Sequence, residues 1–356
     1  MPPMGLVRLF LALIVAADHW RVIQLAPLGI AFEDYYKLGF NAGYAVMFFY
    51  VISGFLITFT LTRNYAQDLG GVSDFYRNRF IRIFSLYWPM VLLSFLLIPG
   101  VWAEFVDAAF WDKTTGLFLF GMDWRLAFAS YPQTHWPAAI GALHQAWTLG
   151  AELTFYLLAP LLLRSWRVAA AALVASFGLR AVFVLNMGFS DIWTYHFVGT
   201  TFGFFLLGHL ICLAGRRFPI LANRGLGILL LAGSLLAMTF GGSYAPFDGI
   251  RFWTSVLLFT LALPGLFEAT KGVRWMNLIG DLSYPIYLVH TAVLMLLGPW
   301  LMRVALPSTT TIGGYVSIGS FVVVTILSAI LVHWLCEVPT ARLMRMVRLP
   351  RLQFGT

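Results

Sequence analysis

Residues 40–62 read FNAGYAVMFFYVISGFLITFTLT, a run of apolar and aromatic side chains with no charged residue. About 20 such residues, rising 1.5 Å each, carry a helix across the ~30 Å hydrocarbon core of a bilayer. A segment this apolar has no polar face to turn toward water, so it belongs in lipid or inside a bundle within lipid. The same reading recurs outward along the chain, at 5–26, 79–99, 145–164, 167–187, 194–214, 225–240, 251–269, 277–300 and 313–336. Together these predict an all-α, polytopic membrane bundle of about ten transmembrane helices. The span at 225–240 is the shortest and is rich in glycine. No long polar linker, charge run or internal repeat divides the chain, so residues 1–356 read as a single transmembrane domain.

Composition agrees. Of 356 residues 60% are hydrophobic and 11% charged, whereas a soluble domain carries about a quarter charged residues. That little charge cannot cover a water-soluble globule of this size, which excludes the soluble classes. Two cysteines, Cys212 and Cys336, form neither a metal-ligand pattern nor a disulfide framework, so no metal is expected. The start of the chain, with Arg8, an apolar run and Val15-Ala16-Ala17, imitates a secretory signal with its cleavage site. It is kept here as the first helix.

The net charge of +8 matters by position more than by sum, and it points to membrane lipids as partners rather than nucleic acid. With the N-terminus inside, the inner loops hold Arg63, Arg77, Arg79, Arg164, Arg167, Arg216, Arg217, Arg224, Lys271 and Arg274. A basic cytoplasmic tail, 337–356, adds Arg342, Arg345, Arg348 and Arg351. The outer loops hold Lys37, Lys113, Arg125, Arg251 and Arg303, diluted by Glu33, Asp34, Glu104, Asp107, Asp112, Asp123, Asp191 and Asp248. Lysine and arginine prefer the cytoplasmic side. An even number of spans then places both termini in the cytoplasm. The longest outer connection, 100–144, carries Trp102, Phe105, Phe110, Trp111, Phe118, Phe120, Trp124 and Trp136. It is too aromatic for a disordered loop and is expected to pack on the bundle, as an acceptor-binding wall or as a structural cap.

Ionisable side chains inside a membrane cost several kcal/mol and need a reason. In the first span Arg8 and His19 are eleven residues apart, close to three turns, so they share a stripe about 16 Å long. Asp18 is offset by about 100° and leaves that face. An imidazole is a good general base at neutral pH, or else a satisfied structural histidine. Arg79 and Arg82, three apart, share a face at the inner end of the third span, where guanidinium groups suit either phosphate oxygens or anionic lipid. Glu152 lies inside the fourth span with Tyr156 one turn on, and a buried carboxylate requires a partner such as His19, an arginine or a substrate hydroxyl. Ser283, Tyr287 and His290 form a polar stripe at i, i+4 and i+7 in the ninth span, and Pro285 is expected to bend it. His209 and His333 read as structural or interfacial. Ser53-Gly54 permits close helix approach and is first a packing signal.

In chain order, Arg8-x10-His19, FFYVISGFLI (48–57), Arg79-x-x-Arg82 with Tyr87-Trp88, Trp147-Thr-Leu-x-x-Glu152-x-x-x-Tyr156, the 283–290 segment SYPIYLVH, and Glu337-Val-Pro339 together resemble the acyltransferase family 3 membrane acyltransferases. That family includes the acetylases of bacterial O-antigens, exopolysaccharides and nodulation factors. The resemblance spans nearly the whole chain. It implies an acyl-CoA donor, acetyl-CoA by family default, reached from the cytoplasm. It also implies a hydroxyl acceptor on a glycan or lipid-linked glycan, in the bacterial cytoplasmic (inner) membrane. His19 and Glu152 are then the expected catalytic residues, with Glu152 orienting His19 or the acceptor. Arg8, Arg79 and Arg82 are expected to hold the donor's phosphates, and Trp147, Tyr156, Ser283, Tyr287 and His290 to bind substrate. Many relatives carry a further helix and an esterase-like domain, and neither is expected here. Direct transfer and a covalent acyl-histidine relay both remain open. A glycan or solute transporter is the alternative from another class.

Overall fold

The computed structural model describes residues 4–28, 41–65, 68–118, 141–189, 191–239, 249–305 and 311–347. Every secondary-structure element among them is helical. The first half comprises α1 (Gly5–Trp20), α2 (Ala42–Asn64), α3 (Leu69–Leu97), α4 (Val101–Asp107), α5 (Phe110–Phe118), α6 (Trp147–Leu162) and α7 (Trp166–Met187). The second comprises α8 (Val198–Arg217), α9 (Arg224–Thr239), α10 (Ile250–Thr270), α11 (Arg274–Asp281), α12 (Ser283–Ala305), α13 (Thr311–Val332) and α14 (Val338–Met346).

Among the described residues, seven helical segments are long and apolar enough to cross a membrane. The expected spans at 5–26, 145–164 and 225–240 coincide with α1, α6 and α9, each of 16 residues. Sixteen residues rise about 24 Å, less than the ~30 Å of hydrocarbon. Two of the three run into irregular turns. Helix α1 widens into a π-helical turn at Arg21–Leu25, and α6 is preceded by a 3-10 segment, Gly141–Ala146. The helix is interrupted at Leu282, between α11 and α12 and one turn before Pro285. Proline in the first turn of a helix forfeits no internal hydrogen bond, but its ring bars the chain from continuing straight out of the preceding helix.

The outside of the bundle is apolar. Val174, Val182 and Leu185 on α7 and Val323, Leu327 and Leu331 on α13 are exposed, an oily surface that only lipid would cover without penalty. Helix α1 lies among α2, α11, α12 and α13, and its Trp20 indole donates to Ser317 on α13 at 3.1 Å. Helices α4 and α5 fold back beneath aromatic residues of α3: the Tyr87 hydroxyl donates to the Gly116 carbonyl, and the Trp88 indole to that of Leu117 at 3.2 Å. The remainder of that outer connection, 119–140, with Phe120, Asp123, Trp124, Arg125 and Trp136, lies outside the described residues. So do Glu33, Asp34, Lys37, Asp248, Arg348 and Arg351.

The Ser53-Gly54 pair serves two purposes. A Cβ on Gly54 would collide with the backbone carbonyl of Phe205 on α8, and one on Gly208 with that of Val51 on α2. The two backbones therefore cross in direct contact, which brings α2 close enough for Ser53 to face α6. Backbone cannot step aside as a side-chain tip can. Gly54→Ala is expected to cost at least the ~1–3 kcal/mol typical of overpacking. The check is thermal unfolding of the purified protein in detergent: a variant that melts with the wild type refutes the contact.

Candidate functional site

A cavity of about 580 Å³ opens among α1, α2, α3, α6, α11, α12 and α14. It is lined along α2 from Val46 to Asn64, a rise of about 27 Å of helix. One end is cationic: Arg8, Arg79, Arg82 and Arg345 converge there with Asn64 and Asn78. The far end is formed by Tyr50, Thr148 and Tyr287. The cavity wall thus includes Arg8, Arg79, Arg82, Glu152, Tyr156, Ser283 and Tyr287, which four separate stretches of sequence had nominated.

The arginines are held by the structure in different ways. Arg82 donates to Glu337 at 3.0 Å and lies over the Tyr284 ring at 5.3 Å. Glu337 also receives His333 at 2.7 Å, so the closing helical turn of the chain fixes the third helix's arginine. Arg79 lies between the rings of Phe75 and Tyr156, 5.7 Å from each, and its Nε is buried without a hydrogen-bond partner. In Arg8 both Nε and Nη2 are buried and unbonded. An unsatisfied guanidinium N–H in a buried site is costly, and three such atoms beside one cavity point to an anionic ligand that accepts from them. The Arg79/Arg82 pair therefore turns into the bundle rather than out to lipid. Arg77 is spent otherwise: it donates to the carbonyls of Arg345 and Val347, both at 2.9 Å, and so fastens α14 at the cationic mouth.

Glu152 accepts from Ser53 at 2.9 Å and from the Tyr156 hydroxyl one turn along its own helix. Its described hydrogen-bond partners are thus a serine and a tyrosine. These two bonds fix Glu152 in the cavity wall near the arginines: Arg8 is its electrostatic neighbour, and Arg79 lies over the ring of Tyr156. Asp281, at the end of α11, is the second carboxylate in the lining. It was visible in the sequence as an ionisable residue in an apolar span, and it lines the wall together with Ser283, on the other side of the interruption at Leu282. The Ser283 hydroxyl itself donates to the Gly280 carbonyl at 2.7 Å.

His19 lies outside the lining, at the far end of α1 from Arg8. Its Nδ1 is 2.7 Å from Nε2 of His290, with the rings stacked 5.0 Å apart. His290 is fully buried and sits three residues beyond Tyr287, about 4.5 Å further along α12. The histidine pair is therefore one turn past the cavity's far end. Asp18 is engaged by Arg21 at 2.8 Å, consistent with its leaving the His19 face. Trp147 packs on His196 and Tyr195, with ring centroids 4.0 and 5.2 Å away, and is outside the cavity lining. His209 is buried and bonds Thr58 at 2.9 Å.

Gln145, which no sequence pattern singled out, holds this end together. Its amide nitrogen donates to the Leu288 carbonyl at 3.0 Å and its oxygen accepts from Thr291 at 2.7 Å. The Tyr287 hydroxyl bonds Thr148 at 2.6 Å and donates to the Gln145 carbonyl. These bonds fix α12 on both sides of His290.

A family described as an acyltransferase domain matches residues 4–334. The chain is 30% identical over 308 residues to nodulation protein 10 of Rhizobium leguminosarum bv. viciae, covering 81% of this chain and 82% of that protein. No solved structure matches.

Proposed function

This chain belongs to the acyltransferase 3 family, and from that premise we propose that it is a membrane-bound O-acyltransferase. In this reading it moves an acyl group, acetyl by default, from acyl-CoA to a hydroxyl of a glycan or lipid-linked glycan. One observation carries the reading: three guanidinium nitrogens, two on Arg8 and one on Arg79, are buried and unbonded beside a long cavity. Four arginines against two carboxylates in the lining favour a polyanion at that end. A nucleotide-type thioester has phosphates at one end, a long flexible arm, and its reactive carbonyl at the other. Such a molecule suits a cavity that is cationic at its mouth and ends one turn from a histidine pair.

The chemistry is a single displacement. The acceptor hydroxyl's oxygen attacks the thioester carbonyl while its proton passes to His19. The carbon–sulfur bond breaks, and the thiolate takes the proton back from His19 to leave as the free thiol. The products are an ester and CoA. Arg8, Arg79 and Arg82 bind the donor's phosphates, while Glu152, Ser53 and Tyr156 shape the passage between the two ends.

The proposed membrane arrangement is ten crossings in a bacterial inner membrane, with both termini and the cationic mouth in the cytoplasm, where acyl-CoA is found. Helices α1, α6 and α9 supply the three crossings beyond the seven long segments. Nodulation protein 10 is named for nodulation, which fits a glycan-type acceptor but does not fix one. The reading is tested with purified protein in nanodiscs given acetyl-CoA labelled on its acetyl group, with and without a mixture of glycans. Saturable donor turnover, by transfer or by thioester hydrolysis, is expected. Folded protein with neither donor turnover nor donor binding would overturn the proposal, and solute flux would then be measured.

A further inference from the structure

The hydrogen-bond chain at the histidine pair has a direction. Nδ1 of His290 faces the Tyr287 carbonyl at 2.7 Å and the Ile286 carbonyl at 3.3 Å. A carbonyl oxygen only accepts, so that nitrogen must carry a proton. In a neutral ring the proton on Nδ1 leaves Nε2 with its lone pair. Nε2 of His290 is the atom 2.7 Å from Nδ1 of His19, so His19 must supply the proton of that bond. Neutral His19 is then protonated at Nδ1 and bears its lone pair at Nε2. The reverse direction would set two lone pairs against each other at Nδ1 of His290 and the Tyr287 carbonyl.

We infer that His19 and His290 form a dyad in which His290 is a positioning residue, fixing the tautomer and the ring plane of His19 so that Nε2 of His19 is the base. This rests on the acyl-transfer reading for its consequence but not for its geometry. It also moves His290 from the substrate-binding role expected from the sequence: the residue is fully buried and outside the cavity lining. When His19 takes the acceptor's proton at Nε2, its Nδ1–H remains bonded to a neutral imidazole lone pair, which stabilises the new imidazolium. His290 cannot pass its own Nδ1 proton onward, because a backbone carbonyl is not a base. The charge therefore stays on the pair and the proton returns to the leaving thiolate. Gln145 and Thr291 keep the α12 segment in register, so the Tyr287 carbonyl stays opposite His290.

Two variants separate the roles. In His290→Phe a ring remains to stack on His19 but the acceptor is gone. In His290→Gln the amide oxygen can take the place of Nε2 and accept from His19. Losing a tautomer-fixing partner in an imidazole-based site costs up to about 10⁴-fold in turnover, and a general base contributes about 10²–10⁴-fold. His290→Phe is expected to lower kcat by about 10²-fold or more with the donor KM nearly unchanged, and His290→Gln to recover turnover to within about tenfold of wild type. The structural readout is the ¹⁵N spectrum of histidine-labelled protein in lipid, with the His19 signals identified by their loss in His19→Gln. A protonated Nδ1 and an unprotonated Nε2 on His19 are expected in the wild type, with that preference lost in His290→Phe. A wild-type His19 protonated at Nε2, or a His290→Phe variant with wild-type kcat, or equal losses in the Phe and Gln variants, overturns the dyad. If no donor turnover occurs in any form, the acyl-transfer reading falls, while the spectrum still decides whether His290 sets the His19 tautomer.

Discussion

His19→Ala is expected to lower acyl transfer by about 10²–10⁴-fold, the range that a positioned general base supplies. The loss should fall on kcat. Donor affinity should stay close to wild type, because Arg8 lies about 16 Å away along the same helix and Arg79 and Arg82 line the cavity that His19 lies outside. Removing the ring takes a stacking partner from His290, so the check pairs steady-state kinetics with a thermal melt of the same preparation. A folded variant that transfers at the wild-type rate removes His19 from the chemistry, whether as base or as acyl carrier.

Arg8→Gln is the second large effect, and it acts on the other half of the reaction. Two of the Arg8 guanidinium nitrogens are buried without a hydrogen-bond partner. A hydrogen bond to a charged group contributes about 1.5–3 kcal/mol, which is about a 10- to 150-fold change in affinity at 1.4 kcal/mol per decade. The donor Kd should rise by that factor, with kcat at saturating donor much less affected. The unliganded variant should melt close to wild type, since the desolvation cost removed with the buried charge offsets its lost attraction to Asp281 and Glu152. Titration of a labelled acyl-CoA analogue, together with thermal unfolding in its absence, tests both halves. An Arg8→Gln variant with unchanged donor affinity and lower stability would mark Arg8 as a structural residue.

The membrane character was legible because lipid imposes a long and uniform pattern, and the arginines were legible because a charge in an apolar span has few reasons to be there. Tyr156 could be placed beside Glu152 because an i, i+4 spacing is a local property of a helix. Pairings across the bundle were not legible. His19 and His290 are 271 residues apart in sequence, Arg82 and Glu337 are 255 apart, and Ser53 and Glu152 are 99 apart. No periodicity within one helix fixes which face meets which neighbour.

Glu152 shows the cost of that limit. Its burial in a span demanded a partner, and the sequence offered His19, an arginine or a substrate; Arg8 is an electrostatic neighbour, while the hydrogen bonds from Ser53 and Tyr156 were not among the candidates. The interruption before Ser283 is a related case. Proline announced a break, and steric exclusion acts on the turn ahead of the ring, which is where Leu282 interrupts the helix. The π turn that follows Trp20 was not legible either, because an apolar run carries no mark of local rewinding.

The most direct test is a cryo-electron-microscopy structure of the protein in nanodiscs with a non-hydrolysable acetyl-CoA analogue. Donor binding in the long cavity requires density for the phosphates against Arg8, Arg79 and Arg82, and for the acyl end beside Tyr287, within one turn of the His19–His290 pair. An empty cavity at saturating analogue, a lipid chain in its place, or phosphates bound away from these arginines would contradict the proposed function.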